Sequence, residues 1–315
     1  MISTLRSMWS PDFPSRDTPD GTRRQLLAMA PMAAAWGLSG GAAHAADTSN
    51  VASSALAPID EGFVAFANAR EKFEALFRFE RDLRDEGTAL STYQFLVYAV
   101  PDGARPQPIV RFEGMEFSYF RRVAESTWRI HAHNVSYPRD LNTGQYTTTA
   151  LNPYTGESLE VKPMKLLEDP GVLHSPAGYL PLDAKSVKWL DTYLTLRVEG
   201  ELIKAEHIRP TPDGWPVQFI ESSCSSVPRR DFNDPRVTSL LFQTAGFYVF
   251  PFPAWMRMGD RPGHMIGAWN GRKIPAAAAL PRMFQERLRR EDPELLEPRW
   301  NEFKTPISAA LAAAV

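Results

Sequence analysis

From residue 90 onward the chain alternates apolar and polar side chains with a period of two, and turn signals cut the alternation into short segments. That pattern puts one face of each segment in a core and the other in water, so it commits most of the chain to β-strands. Thr92–Tyr98 is rich in aromatic and β-branched residues and stops at Pro101-Asp102-Gly103, where proline presets φ and glycine accepts a positive one. Further strands are expected from Ile109 to Val123 and from Thr127 to Tyr137. The turns Asn142-Thr143-Gly144-Gln145 and Asn152–Glu157 bracket a strand at Tyr146–Ala150, and Glu157–Val161 continues the meander. Residues 163–186, with Pro163, Pro170, Pro176 and Pro181, read as irregular. Strands resume over Trp189–Val198, Leu202–Arg209 and Val217–Cys224, with Pro212-Asp213-Gly214 as a turn, and again over Ala245–Phe250. No strand–helix–strand alternation occurs. The expected fold is mainly β: an antiparallel β-barrel or strongly curved sheet of about eight or nine strands.

Helical periodicity appears only at the two ends of this region. Residues 59–86 carry Phe63, Phe66, Ala67, Phe73, Leu76 and Phe77 as a stripe broken at Arg70, with Asp60 as N-cap. Leu280–Arg290 forms an amphipathic, arginine-rich helix, after which Pro293 and Pro298 break the chain and the alanine-rich end is expected to fray.

The N-terminus reads as an address rather than as structure. Thr22-Arg23-Arg24-Gln25-Leu26-Leu27 is followed by a charge-free run to Ala46, apolar from Leu26 to Leu38, and by Ala43-His44-Ala45, a small-x-small cleavage site. The arginine pair resembles a twin-arginine export signal, with Leu26 where phenylalanine is commoner and Ala28 where lysine is frequent. Residues 1–45 are therefore expected to be a signal peptide, 46–58 a flexible leader, 59–292 a single mostly-β domain and 293–315 a tail. The expected location is periplasmic or secreted, and the expected partners are the twin-arginine export machinery and signal peptidase. That route carries folded proteins, often with a cofactor bound. It permits a cofactor here without naming one.

Removing 1–45 leaves 31 Lys and Arg against 34 Asp and Glu, with no dense basic cluster, so no nucleic-acid partner is expected. Val237–Met256 is charge-free and long enough to span a bilayer, but Pro251 and Pro253 would break a helix through it; a buried strand and loop are expected instead, with no membrane span in the mature chain. The single cysteine, Cys224, cannot form an internal disulfide and reads as a small buried hydrophobe or a reactive nucleophile.

Two groups of motifs stand out by order and spacing. One is Asp140-Leu-Asn-Thr-Gly144 followed by Asn152-Pro-Tyr-Thr-Gly-Glu157. The other is Pro253-Ala-Trp-Met-Arg-Met-Gly-Asp-Arg-Pro-Gly-His264 followed by Gly271-Arg-Lys273. Together they resemble a bacterial domain-of-unknown-function family, number eighteen thirty-eight, over most of residues 60–290. The resemblance implies one continuous domain. It implies no activity and transfers no catalytic residue.

Chemistry must then be sought in the side chains. Alternation along Thr127–Tyr137 puts Arg129, His131, His133 and Tyr137 on one face, and His-x-His aims two imidazoles the same way, with Asp140 close by to orient one. A metal would need a third ligand, so none is assigned; a solvated polar face is the plainer reading. Glu199, Glu201, His207 and Glu221 on neighbouring strands could place a carboxylate near an imidazole inside a barrel, or form an outer charged edge. The Met258–His264 loop could display Arg261 and His264 to a carboxylate, or be a structural turn with Asp260 capping its backbone. Trp255, in the charge-free stretch, could edge an apolar pocket. The nucleotide-binding glycine motifs, His-Glu-x-x-His and Gly-x-Ser-x-Gly are absent.

The resulting expectation is an exported protein that holds a small, partly apolar molecule inside a barrel, with Arg129, Tyr137, Trp255, Arg261 and His264 as ligand contacts. The alternative is an isomerase or hydrolase using His131, His133, Asp140, Glu201 and His207 for acid–base chemistry in the same pocket.

Overall fold

The computed structural model describes residues 61–166, 171–182, 193–210 and 219–307. The expected export signal and leader, Asp60 and the expected Pro212–Gly214 turn lie outside the described residues. In chain order the elements are β1 (Glu61–Phe63), α1 (Ala69–Glu80), β2 (Glu86–Pro101), β3 (Gln107–Ala124), β4 (Thr127–Arg139), β5 (Thr149–Leu151), β6 (Ser158–Glu160), β7 (Met164–Leu166), β8 (Val172–Ser175), β9 (Gly178–Pro181), β10 (Tyr193–Glu199), β11 (Leu202–Pro210), β12 (Ile220–Pro228), α2 (Arg229–Asn233), β13 (Gln243–Pro251), β14 (Gly263–Ile274) and α3 (Arg282–Glu291). Short 3₁₀ turns occupy 254–256, 277–279, 293–296 and 300–304.

Twelve strands form one antiparallel sheet in the order β1-β10-β11-β12-β13-β14-β2-β3-β4-β8-β9, with β7 also paired to β4; β5 and β6 make a separate hairpin. Mainly β and antiparallel is as the alternation requires. Two expectations need correction. The sheet has more strands than eight or nine, and no ladder joins β1 to β9, so it is an open sheet and not a barrel. The added strands come chiefly from β14 and from the β8–β9 hairpin in the stretch expected to be irregular. Register shifts at Val97/Tyr98 and Arg122/Ala124 sharpen the local twist of the long β2–β4 ribbon.

The N-terminal helix is shorter than 59–86. Asn68 caps it, its Oδ1 accepting from the Glu71 N–H at 2.9 Å, while the Glu71 carboxylate accepts from the Ala67 N–H at 2.6 Å. This reciprocal cap starts the helix at Ala69. Phe63 stays outside it and is exposed.

α1 lies on one face of the sheet and touches both halves of it. Phe73 and Phe77 pack on Phe120, Trp128 and Ile130, and Phe79 packs on Leu196, Ile203 and Val227. Four carbonyls around α2 (Asp231, Phe232, Asp234 and Val237) accept from the Arg78 guanidinium. Three carbonyls at the end of α1, those of Arg78, Phe79 and Arg81, accept from the Lys273 ammonium. Burial pushes that ammonium down to about 7, Arg81 adding to the effect; three acceptors match the three N–H groups of its charged form. The opposite face of β2–β4 is covered by α3 and the residues after it, with Phe284, Leu288 and Leu295 against Met115, Phe117, Val135 and Tyr137. β4 is consequently buried on both faces. The charge-free stretch holds β13 and the 254–256 turn, and among the described residues no helix is long and apolar enough to cross a membrane.

Candidate functional site

The α1 face of the sheet carries a polar belt in an otherwise apolar surface, because alternation along five strands brings the same parity together. Glu221, Ser223 and Ser225 on β12 face the same way as His207 and Arg209 on β11, Thr244 on β13, Trp269 on β14 and Tyr93 on β2. With Leu76, Phe79, Glu80 and Arg81 at the end of α1, and Glu116, Leu194, Phe242 and Arg272, they line a cavity of about 120 Å³.

The aromatic rings on this face of the sheet, of which Tyr93 and Trp269 line the cavity, depend on glycines. The Tyr248 ring lies where a side chain at Gly267 would be, with its Cζ 2.1 Å from an added Cβ. Tyr93 does the same over Gly114, at 2.6 Å. At Gly246 the added atom would meet Trp269 Cζ2 at 2.8 Å and the Ser222 carbonyl oxygen at 2.3 Å. Aromatic rings thus lie flat on the sheet only because the neighbouring strand has no Cβ to lift them. Gly267→Ala is expected to destabilise by about 1–3 kcal/mol, since a flexible ring must be displaced. Gly246→Ala is expected to cost more, since a backbone carbonyl cannot step aside. Urea midpoints measure both; a wild-type midpoint for Gly246→Ala would show that this packing does not exist.

Glu80 is the hub of the charged wall. Its carboxylate accepts from Arg209 Nη2 at 2.6 Å and from the Tyr179 hydroxyl at 2.8 Å, with His207 Nδ1 and His174 Nδ1 at 3.7 and 3.8 Å. Burial, the largest single influence, would push its carboxyl up, but the positive groups around it, Arg209 foremost, together outweigh burial and hold it below the usual carboxylate range. Burial pushes His207 down to about 3, with Arg209 adding to the effect, and pushes His174 down to about 3 against the pull of Glu80. Both rings are therefore neutral, and the stabilising charges on Glu80 are those of Arg209 and Arg81. Arg209 also lies 3.7 Å from Glu221, and Arg81 lies 3.1 Å from Glu116.

Among the described residues, four buried polar atoms of the side chains around this cavity have no hydrogen-bond partner: Arg81 Nε, Thr244 Oγ1, Trp269 Nε1 and Glu221 Oε2, the last 3.7 Å from Arg209. Glu221 and Trp269 are 3% and 8% exposed, so bulk water does not serve them.

The residues singled out from sequence divide by place. His207 lines the cavity, as does Glu221. Glu201 does not join them: it is exposed at the β10–β11 turn, where its carbonyl accepts from the Arg229 N–H at 2.8 Å. The carboxylate beside His207 is Glu80, from a distant part of the sequence. His131 and His133 point to the opposite face, under the C-terminal segment. His131 Nε2 accepts from Arg129 Nε at 3.0 Å, so its Nδ1 carries the proton and donates to Glu302 at 3.0 Å. His133 Nδ1 is 3.1 Å from the Leu295 carbonyl, and burial pushes its pKa down. Arg129 donates to the Thr305 and Glu302 carbonyls, and the Tyr137 hydroxyl donates to Asp292. These four bind the chain end to the sheet. Asp140 is half-buried and accepts from the Asn142 and Thr143 N–H groups within its own turn. Arg261 is exposed, with Nη2 3.5 Å from the Tyr154 carbonyl; His264 opens β14 opposite Val100; Trp255 packs at the apolar end of the sheet. Cys224 has the parity opposite to Ser223 and Ser225, and burial pushes its thiol pKa up. Among the described residues no three His, Cys, Asp or Glu side chains converge as a metal site would require.

The fold and cavity define a class: a large open antiparallel sheet holding a helix and a polar pocket on one face. Residues 88–304 match the profile of the family described as protein of unknown function, DUF1838, and the chain belongs to that family. No curated protein matches the chain.

Proposed function

We propose that the chain is an exported protein that holds a small molecule in the pocket between the end of α1 and the glycine-seated aromatic floor. The observation that carries this reading is a cavity of about 120 Å³ that brings the largely buried charges of Glu80, Arg209 and Glu221 together with His207 and the ring of Trp269 on one face of the sheet. Leu76, Phe79, Leu194 and Phe242 supply an apolar wall, which suits a molecule with both kinds of surface. Native mass spectrometry of protein purified from its own host is the direct test. A bound mass that disappears on denaturation is expected; a clean apo mass counts against the reading.

Export rests on the arginine pair and the cleavage site. Lys replacing both Arg23 and Arg24 is expected to leave the protein in the cytoplasm and unprocessed, scored by fractionation and by the mass of the product. Normal processing of that double variant would rule out the twin-arginine route.

Acid–base catalysis in the same pocket is a second reading, favoured by one observation: Glu221 is a buried carboxylate among the residues that line the cavity, with no hydrogen bond to its Oε2. Glu221→Gln would then retain the ligand and abolish its conversion. A wild-type protein that binds its ligand and returns it unchanged excludes catalysis.

A further inference from the structure

We infer that Tyr119, Arg129 and His131 form a second binding site, for a carboxylate with an aromatic ring close beside it, and that the chain fills this site with its own Glu302 and Phe303. The site lies on the face of β3 and β4 turned away from α1, so it does not depend on the pocket described above.

The ligand class comes from what occupies the site. Tyr119 and His131 are cross-strand partners, and Arg129 lies two residues along β4 on the same face. Arg129 Nε holds the His131 proton on Nδ1, and that N–H and the Tyr119 hydroxyl converge on one oxygen, Oε2 of Glu302, at 3.0 and 2.6 Å. The Arg129 guanidinium donates to the Glu302 carbonyl at 2.6 Å and adds positive charge beside the carboxylate. Two donors on one oxygen next to a fixed cation suit a carboxylate; an ammonium cannot accept either bond. The Phe303 ring stands edge-on to the same two residues, its centroid 5.0 Å from His131 and 6.0 Å from Tyr119. The guanidinium carbons of Arg121 and Arg129 lie 5.1 and 5.4 Å from its centre. Carboxylate and ring thus meet the same imidazole, close enough to belong to one small molecule.

That the occupant can leave comes from how unequally the two sides are held. Beneath, Tyr119, His131 and Arg129 are 0%, 2% and 6% exposed and stand on long paired strands. Above, residues 298–307 make one 3₁₀ turn and none of them is buried. Trp300, Phe303 and Ile307 rest on the sheet only partly covered, and the last fully buried anchor before them is Leu295. A segment with so little buried apolar surface opens at low cost, whereas the ladder under it does not move. Opening therefore uncovers a donor set already in place.

The test uses the full chain, with 3-phenylpropionate as the probe and its neutral amide and ring-free propionate as comparisons. Glu302→Ala combined with Phe303→Ala empties the site and leaves the rest of the segment in place. In calorimetric titration this double variant is expected to bind 3-phenylpropionate saturably, at least tenfold tighter than it binds the amide or propionate. It is also expected to bind at least tenfold tighter than wild type, which must first displace its own occupant. Should the double variant not fold, hydrogen exchange of wild type gives the reading: amides of 298–307 are expected to exchange several-fold faster when 3-phenylpropionate is added. No saturable binding to the folded double variant, equal binding by the amide or by wild type, or, where only wild type folds, unchanged exchange, overturns the inference. Glu302 and Phe303 would then do no more than fasten the chain end.

Discussion

Replacing Glu80 by glutamine is expected to destabilise the protein by about 3–5 kcal/mol, the range seen when one member of a buried ion pair is removed. The change keeps the shape of the side chain, so the loss is electrostatic. Arg209 would keep only Glu221, at 3.7 Å, as a countercharge. The Tyr179 hydroxyl would exchange a carboxylate acceptor for a weaker amide. The position explains why the effect should be large. Tyr179 belongs to β9, at one edge of the sheet, and Arg209 to β11, near the other, and Glu80 at the end of α1 binds both. One carboxylate therefore connects elements that no backbone ladder connects. Urea denaturation at neutral pH measures the loss. Adding Arg209→Met to Glu80→Gln is expected to recover part of it, because the second change removes the charge that the first left uncompensated. A loss below about 1 kcal/mol, the value of an exposed pair, would show that the hub is solvated.

Acidification is expected to unfold the protein from about pH 6.5 downward, with a slope of at least two protons over part of the range, roughly 2.7 kcal/mol per pH unit. Two protons belong to His174 and His207, whose ordinary value of 6.5 falls to about 3 in the folded chain, and His133, also pushed down by burial, adds to the slope in the same direction. Above pH 6.5 neither state binds them, and stability is fully present. Between 6.5 and 3 only the unfolded chain takes them up, so stability drains as pH falls. Glu80 acts in the same sense lower down: its folded pKa is depressed, so its contribution is lost as pH falls below the ordinary carboxylate range. His174→Phe is expected to remove about one proton from the slope, since the ring sits edge-on to Phe73 and Phe77 and stacks on Tyr179, where a phenyl group fits. Urea midpoints at pH 7, 6, 5 and 4 give the profile. A flat line from 7 to 4 would mean that the rings are already charged or open to solvent.

How much of this was legible depends on whether the signal was local. The long strands β2, β3 and β4 announce themselves by period and by the turn at Pro101-Asp102-Gly103, and their predicted cores fall inside the observed bounds. β14 does not. Gly263, Gly267 and Gly271 make it look like loop, and their actual cause, rings and backbone from adjacent strands, is invisible along the chain. The same holds for the site. Alternation put His207 and Glu221 on strands that could share a face, and they do share one. It also picked out His131 and His133 as a pair aimed one way, but periodicity does not say which face of a sheet meets the pocket; here that pair meets the C-terminal segment. Glu80 carries no local mark at all. It is an ordinary glutamate at the last turn of a helix, given meaning only by Tyr179 of β9 and Arg209 of β11, 99 and 129 residues further along the chain.

The seating of rings on glycines has a consequence for how this family can diverge. At Gly267 all three of the nearest obstacles are atoms of Tyr248, so a lineage that shrinks the tyrosine becomes free to gain a side chain opposite it, and the two positions should drift as a couple. Gly246 has no such freedom. The Ser222 carbonyl blocks it whatever stands at 269, so that glycine should persist even in descendants that have given up the tryptophan.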